Sequence, residues 1–249
     1  MKQSKVSGVL LSVLALGSAS GVHAGDSHWT YGKHGGPTEW GKLDQAFSSC
    51  EVGKMQSPID IRKAIAADLP AINFDYKPAP LKVTDNGHTI QVDYAPGSSI
   101  DVGGTRYELL QFHFHRPSEE KIDGKVHAMV AHLVHRGADG KLAVVSVLLD
   151  KGLDNATIHA ILNNLPEQTV KELEAPVTVD ATALLPNDKA YYTFEGSLTT
   201  PPCSEGVHWF VLKKPMTLAA SQIMAFFKIY PMNARPTQAL NGRLIEMTR

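Results

Sequence analysis

Along most of the chain apolar and polar residues alternate with a period of two. The runs Thr89 to Tyr94, Tyr107 to His115, Val126 to His135, Leu142 to Leu149, Tyr191 to Leu198 and Val207 to Lys213 are bounded by Gly, Pro, Asn or Asp. This pattern predicts strands. A helical period shows in two longer places only: Asp154 caps a helix over Asn155 to Leu165, and Thr217 caps one over Leu218 to Ile229, which Pro231 ends. The pattern therefore predicts a mainly β (α+β) protein, a single domain built on one large, mostly antiparallel sheet with a few peripheral helices.

Two of the predicted strands carry closely spaced histidines. In Gln111-Phe112-His113-Phe114-His115 the imidazoles at i and i+2 share a strand face. A third follows in His132-Leu133-Val134-His135, beyond the turn signature Ile122-Asp123-Gly124-Lys125. With Asp123-Gly124 at the centre of a tight hairpin, His115 would face His132 across the ladder, Cβ atoms roughly 5 Å apart. Arg116-Pro117-Ser118-Glu119-Glu120 then holds a bulge or widened loop. The arithmetic selects His132 over His135, which lies on the opposite face. Three neutral imidazoles with a fourth position open describe a catalytic Zn²⁺ site, whereas a structural zinc is closed and usually uses cysteines.

The N-terminus narrows the setting. Lys2 and Lys5, an apolar run from Val6 to Ala19, and Val22-His23-Ala24 as a small-x-small site read as a signal peptide over 1–24, cut after Ala24. A retained anchor helix is the competing reading, but the run is shorter than the roughly 20 residues a bilayer span requires. Residues 25–249 contain no linker, repeat or low-complexity tract and fit one domain. A formal net charge of −1 offers no basic surface for nucleic acid, so the partner is a small molecule. Cys50 and Cys203 are the only cysteines, and an even count in an exported chain usually means a disulfide; two free thiols are the alternative.

Gln111-Phe112-His113-Phe114-His115, Ala131-His132-Leu133-Val134-His135, Gln56-Ser57-Pro58-Ile59-Asp60 and Ser197-Leu198-Thr199-Thr200-Pro201-Pro202-Cys203 together resemble the α-class carbonic anhydrases. The likeness runs from His28-Trp29-Thr30-Tyr31-Gly32 to Asn233-Ala234-Arg235-Pro236, and the leader and cysteine pair are similar to the bacterial exported, periplasmic branch. The resemblance implies a twisted sheet of about ten strands with zinc at the bottom of a conical cleft, hydrating carbon dioxide reversibly to bicarbonate and a proton. It implies His113, His115 and His132 as zinc ligands, with Gln111 and the backbone carbonyl of Asn233 as acceptors behind His113 and His115. Thr199 would orient the attacking hydroxide while passing its own proton to Glu119, and His88 would shuttle protons. Tyr31, Asn86 and Gln91 would order water; Val134, Val144, Leu198 and Trp209, with Thr199 and Thr200, would surround the substrate. Bacterial relatives are often homodimers, but no interface signature is visible in this sequence.

These residue types suit the chemistry. Neutral histidines leave the metal's charge intact to acidify water. An uncharged substrate that accepts hydrogen bonds poorly rests in an apolar pocket at little desolvation cost. A histidine titrating near neutrality can export the proton. Two rival classes remain: a binding module on the same fold that has lost zinc ligands, against which all three histidines count, and a cupin-like three-histidine oxygenase, against which the Thr199-Thr200 loop counts. The other histidines, His28, His34, His127, His135, His159 and His208, read as surface or packing residues.

One position departs from the resemblance. Where relatives usually carry a glutamate two residues before the third histidine, this chain has Val130, which cannot accept a hydrogen bond from the His132 ring. The reading is that His132 is held by water or another acceptor and zinc is bound less tightly, or that a carboxylate such as Glu51 or Glu108 has taken over.

Overall fold

The computed structural model describes residues 28–169 and 171–249; the leader read over 1–24 lies outside the described residues. In chain order the strands are β1 (Asp60–Ile61), β2 (Ile65–Ala67), β3 (Ile72–Asp75), β4 (Ala79–Asp85), β5 (Ile90–Asp93), β6 (Ser99–Val102), β7 (Thr105–His115), β8 (Lys121–Ile122), β9 (Met129–Gly137), β10 (Leu142–Lys151), β11 (Glu172–Val179), β12 (Tyr191–Ser197), β13 (Glu205–Leu212), β14 (Met216–Leu218) and β15 (Glu246–Thr248). Helices α1 (Trp40–Leu43), α2 (Ser49–Val52), α3 (Ala156–Leu162) and α4 (Ala220–Ile229) lie outside the sheet.

The main sheet runs β11-β4-β5-β7-β9-β10-β13-β12-β15-β2, with β3, β6 and β14 attached, while β1 and β8 pair separately. Within it only β10–β13, β10–β14 and β15–β2 are parallel, so the sheet is mixed but mostly antiparallel. Its centre is covered on both faces. Along β9, Met129, Ala131 and Leu133 enter a core with Phe112, Val145, Val147 and Phe210, whereas Val130 and Val134 join a second cluster with Val144, Leu148 and Trp209. Strand alternation thus assigns odd β9 residues to one core and even ones, His132 among them, to the other face.

The hairpin register differs from the expected one. His113 sits opposite His132, and His115 opposite Val130. Asp123 and Gly124 do form the turn, both with positive φ, and Ile122 bridges Lys125 at its tip. From His115 to Ile122 there are seven steps, and from Lys125 to Val130 only five. The extra length lies in the Arg116–Lys121 segment. Because the slip is even, every histidine keeps its face.

Both helix starts also differ. Asn155, not Asp154, caps α3, its side chain accepting the Ile158 N–H at 3.1 Å, and the helix ends at Leu162. Thr217 belongs to β14, paired with β10, and its hydroxyl accepts the Leu153 N–H at 3.2 Å. Helix α4 starts after Ala219, whose N–H donates to Gln222 Oε1 at 3.0 Å. Gln222 also accepts the Asn155 N–H and donates to the Asn155 carbonyl, so one side chain ties both helix starts together. Among the described residues no helix is long and apolar enough to cross a membrane.

Candidate metal centre

Strands β7 and β9 bring three imidazoles together from positions far apart in the chain. One ring nitrogen from each of His113, His115 and His132 lies within 4.8 Å of the other two. In every case the ring's other nitrogen is engaged: His113 Nδ1 with Gln111 Oε1 at 2.8 Å, His115 Nδ1 with the Asn233 carbonyl at 2.8 Å, and His132 Nε2 with Glu120 Oε1 and Oε2 at 3.0 and 3.3 Å. Those acceptors define tautomers in which the converging nitrogens carry lone pairs. The fit to a metal ion is direct: His115 Nε2 is buried with no hydrogen-bond partner, and a cation at the common point would satisfy it and its two neighbours together. Burial lowers His113 to about 3 and His115 well below its ordinary value, so both rings are neutral at pH 7, as metal ligands must be. For His132 burial acts in the same direction but is outweighed by the charge and hydrogen bond of Glu120, which raise it.

Two consecutive carboxylates, Glu119 and Glu120, are buried against this cluster. They can both face it because Arg116–Glu120 lies outside the strands and escapes their alternation. Glu119 Oε1 accepts the Arg235 backbone N–H at 2.7 Å, and Oε2 lies 3.5 Å from His115 Nε2 and 3.7 Å from His132 Nδ1. Burial pushes the Glu119 carboxyl up to about 7, opposed by the His132 charge, the Arg235 N–H and the Thr199 hydroxyl. Glu120 was missed from sequence. Neither carboxylate expected behind His132 reaches it: Glu51 pairs with Lys42 at 3.7 Å on the surface and Glu108 accepts the Gly97 N–H. The only sequence signal for Glu120 is a second acid directly after Glu119 in a chain that lacks one at 130.

Thr199 is buried at the end of β12 in a loop tied down from several directions. Ser57 N–H donates to Ser197 Oγ and Ser197 N–H to Ser57 Oγ, at 2.9 and 3.1 Å; Trp209 Nε1 donates to the Ser197 carbonyl at 3.1 Å. The Leu198 N–H reaches the Ser204 carbonyl and the Cys203 N–H the Thr200 carbonyl. Cys203 has a positive φ of 56° and is bonded to Cys50. Its carbonyl accepts Gln56 Nε2 at 3.0 Å. The expected disulfide is therefore present, and the tether ends a few residues from Thr199.

Val134, Val144 and Trp209 lie in one apolar cluster, with the half-buried Leu198 packed against it, on the face that carries His132. Trp209 packs edge-on to His132 at 5.0 Å between ring centroids. His88 stands on the loop between β4 and β5, its ring stacked on Trp29 at 3.6 Å and edge-on to His28 at 6.4 Å. Burial lowers its pKa, and His28 lowers it further. Asn86 Oδ1 accepts the His88 and Thr89 N–H groups, and Asn86 Nδ2 approaches Gln91 Oε1 at 3.4 Å. Tyr31 packs edge-on to Trp29 and Trp40, its hydroxyl held well above its ordinary pKa by burial and then by Glu119. Asn233 links these parts: besides holding His115, it donates to the His88 and Phe114 carbonyls. Of the histidines read as packing residues, His127 pairs with Asp150, His135 with Tyr76 and His208 with Thr193 and Glu195.

The sequence profile described as eukaryotic-type carbonic anhydrase matches residues 35–249. A carbonic anhydrase of Pectobacterium carotovorum is 41% identical over 242 residues, covering 96% of this chain and 98% of its own. Among solved structures, a hyperthermostable carbonic anhydrase from an active hydrothermal vent chimney superposes with a TM-score of 0.87 at 45% identity, over 89% of this chain and all of that one. The α-carbonic anhydrase of Thermovibrio ammonificans, in complex with the inhibitor sulfanilamide, gives 0.85 at 38% identity, over 88% and 98%. With profile, relatives, sheet and histidine cluster in agreement, the chain belongs to the eukaryotic-type, or α, carbonic anhydrase family.

Proposed function

We propose that this protein interconverts carbon dioxide and bicarbonate on a zinc ion held by His113, His115 and His132. The observation that carries the reading is the set of three rings, His115 and His132 buried and His113 half-buried, each with one nitrogen engaged by an acceptor and the other turned to a common point. Zinc, when bound there, acidifies water so that a hydroxide nucleophile is available at neutral pH. Thr199 donates its hydroxyl proton to Glu119, which the Arg235 N–H holds in place, and so turns a lone pair toward the attacking oxygen and orients it. Val134, Val144, Leu198 and Trp209 supply the apolar wall against which carbon dioxide rests, beside Thr199 and Thr200. His88 takes the proton left after bicarbonate departs and hands it to buffer, across water ordered by Tyr31, Asn86 and Gln91. The disulfide supports an exported, periplasmic protein, with residues 25–249 as the domain that follows a leader cut after Ala24.

Stopped-flow hydration of carbon dioxide by purified, zinc-analysed protein tests the reading. One zinc per chain, loss of activity on chelation and inhibition by sulfanilamide are the expected results. A zinc-free protein with full activity would overturn it.

A further inference from the structure

We infer that Glu120 is the positioning residue for the third metal ligand, a carboxylate supplied by the hairpin turn in place of the strand position that Val130 occupies. The inference rests on the zinc reading above. Val130 is fully buried among apolar side chains, opposite His115 and Leu148 in the ladder, and offers His132 nothing. Glu120, equally buried, places both carboxylate oxygens on His132 Nε2, and among the described residues no other side chain hydrogen-bonds that nitrogen. A buried carboxylate with no partner would be costly, and the imidazole N–H is what compensates it here. Its placement is enforced from both sides along the chain. Ser118 Oγ donates to the Glu120 carbonyl at 2.8 Å and accepts the His127 N–H at 2.9 Å, while the next residue, Lys121, enters β8 and donates its N–H to the Ile59 carbonyl.

The arrangement fixes the proton on His132 Nε2 and leaves Nδ1 to the metal. A carboxylate arriving from the turn also makes the metal site depend on a segment outside the β7–β9 ladder. Restoring a glutamate at 130 in the unaltered chain would then crowd two carboxylates onto one N–H and would not slow zinc loss.

The test is zinc release to a competing chelator from loaded protein, with the melting temperature of the zinc-free form as control for folding. Glu120→Ala should release zinc about 10- to 100-fold faster than the unaltered protein. Glu120→Gln, which keeps an acceptor oxygen but not the charge, should fall between. In the Glu120→Ala background, Val130→Glu returns a carboxylate to the same ring from the strand and should slow release again, a rescue that a purely structural Glu120 would not show. A folded Glu120→Ala protein that releases zinc at the unaltered rate would overturn the inference while leaving the zinc reading intact. Unaltered protein that holds no zinc would instead overturn that reading.

Discussion

His113 and His132 face each other across one ladder, yet they are supported in opposite ways. Behind His113 stands Gln111, two residues back on the same strand, where alternation puts it on the same face. Behind His132 the equivalent place is Val130, and the support comes from Glu120 in an irregular turn. The contrast extends to the whole centre. The three histidines and the Val134, Val144 and Trp209 wall are carried by strands, where ladder hydrogen bonds place every side chain. Glu119, Glu120, Thr199, His88 and Asn233 are carried by loops, and each is placed, directly or through a neighbour such as Ser197, by bonds to residues outside its own loop. Regular structure places a residue through its neighbours in sequence; a loop needs a separate tether for each.

The largest effect should come from the strand-borne half. His115→Ala removes one of the three converging imidazoles, so metal analysis and stopped-flow assay should show zinc and activity lost together. Retained zinc with full activity would break the comparison at its root.

The loop-borne half should fail differently. Reducing Cys50–Cys203 releases a closure of 153 residues, worth about 5 kcal/mol at most in the chain-entropy model. The melting temperature should fall, and activity should drop while zinc stays bound, because the tether restrains the Thr199 loop and not the ladder. Zinc lost in step with the tether would show that the two halves are not separable.

His88→Ala should lower kcat by up to about 10²-fold with kcat/KM nearly unchanged, and added imidazole should restore turnover. The His88 pKa is lowered by burial and by His28, so the ring stays neutral, and able to accept a proton, to more acid pH than a free histidine. Turnover should therefore fall with acid at a midpoint below the ordinary histidine value, and His28→Ala should move that midpoint up. An acid midpoint that is unchanged in His88→Ala would place the proton acceptor elsewhere.

The smallest effect sharpens the opening contrast. Gln111→Ala removes a neutral acceptor and should speed zinc release by about tenfold, the lower end of such losses. Glu120→Ala removes a charged one and should exceed it. Equal release rates would mean that neither the charge of the support nor its place in the chain matters.

Alternation by itself determined the six neighbouring strands β5, β7, β9, β10, β13 and β12, the mainly antiparallel sheet and the common face of the three histidines. A period of two survives any even slip of register, and the slip in this hairpin is even. The family resemblance singled out Thr199 and Glu119, and the even cysteine count singled out the pair Cys50 and Cys203. The partner of each ring lay partly beyond reach. Gln111 is legible because it obeys the strand period, whereas Glu120 sits in five residues whose backbone follows no period, and its direction depends on the Ser118 bonds and on β8 pairing with β1. The helix starts follow the same rule, since Thr217 was drawn into a strand by β10, and Gln222 in the first turn of α4 caps Ala219 while also bonding Asn155 at the start of α3. Local period encodes which face a residue takes; which groups meet across loops is decided only when the packed chain satisfies its buried polar atoms.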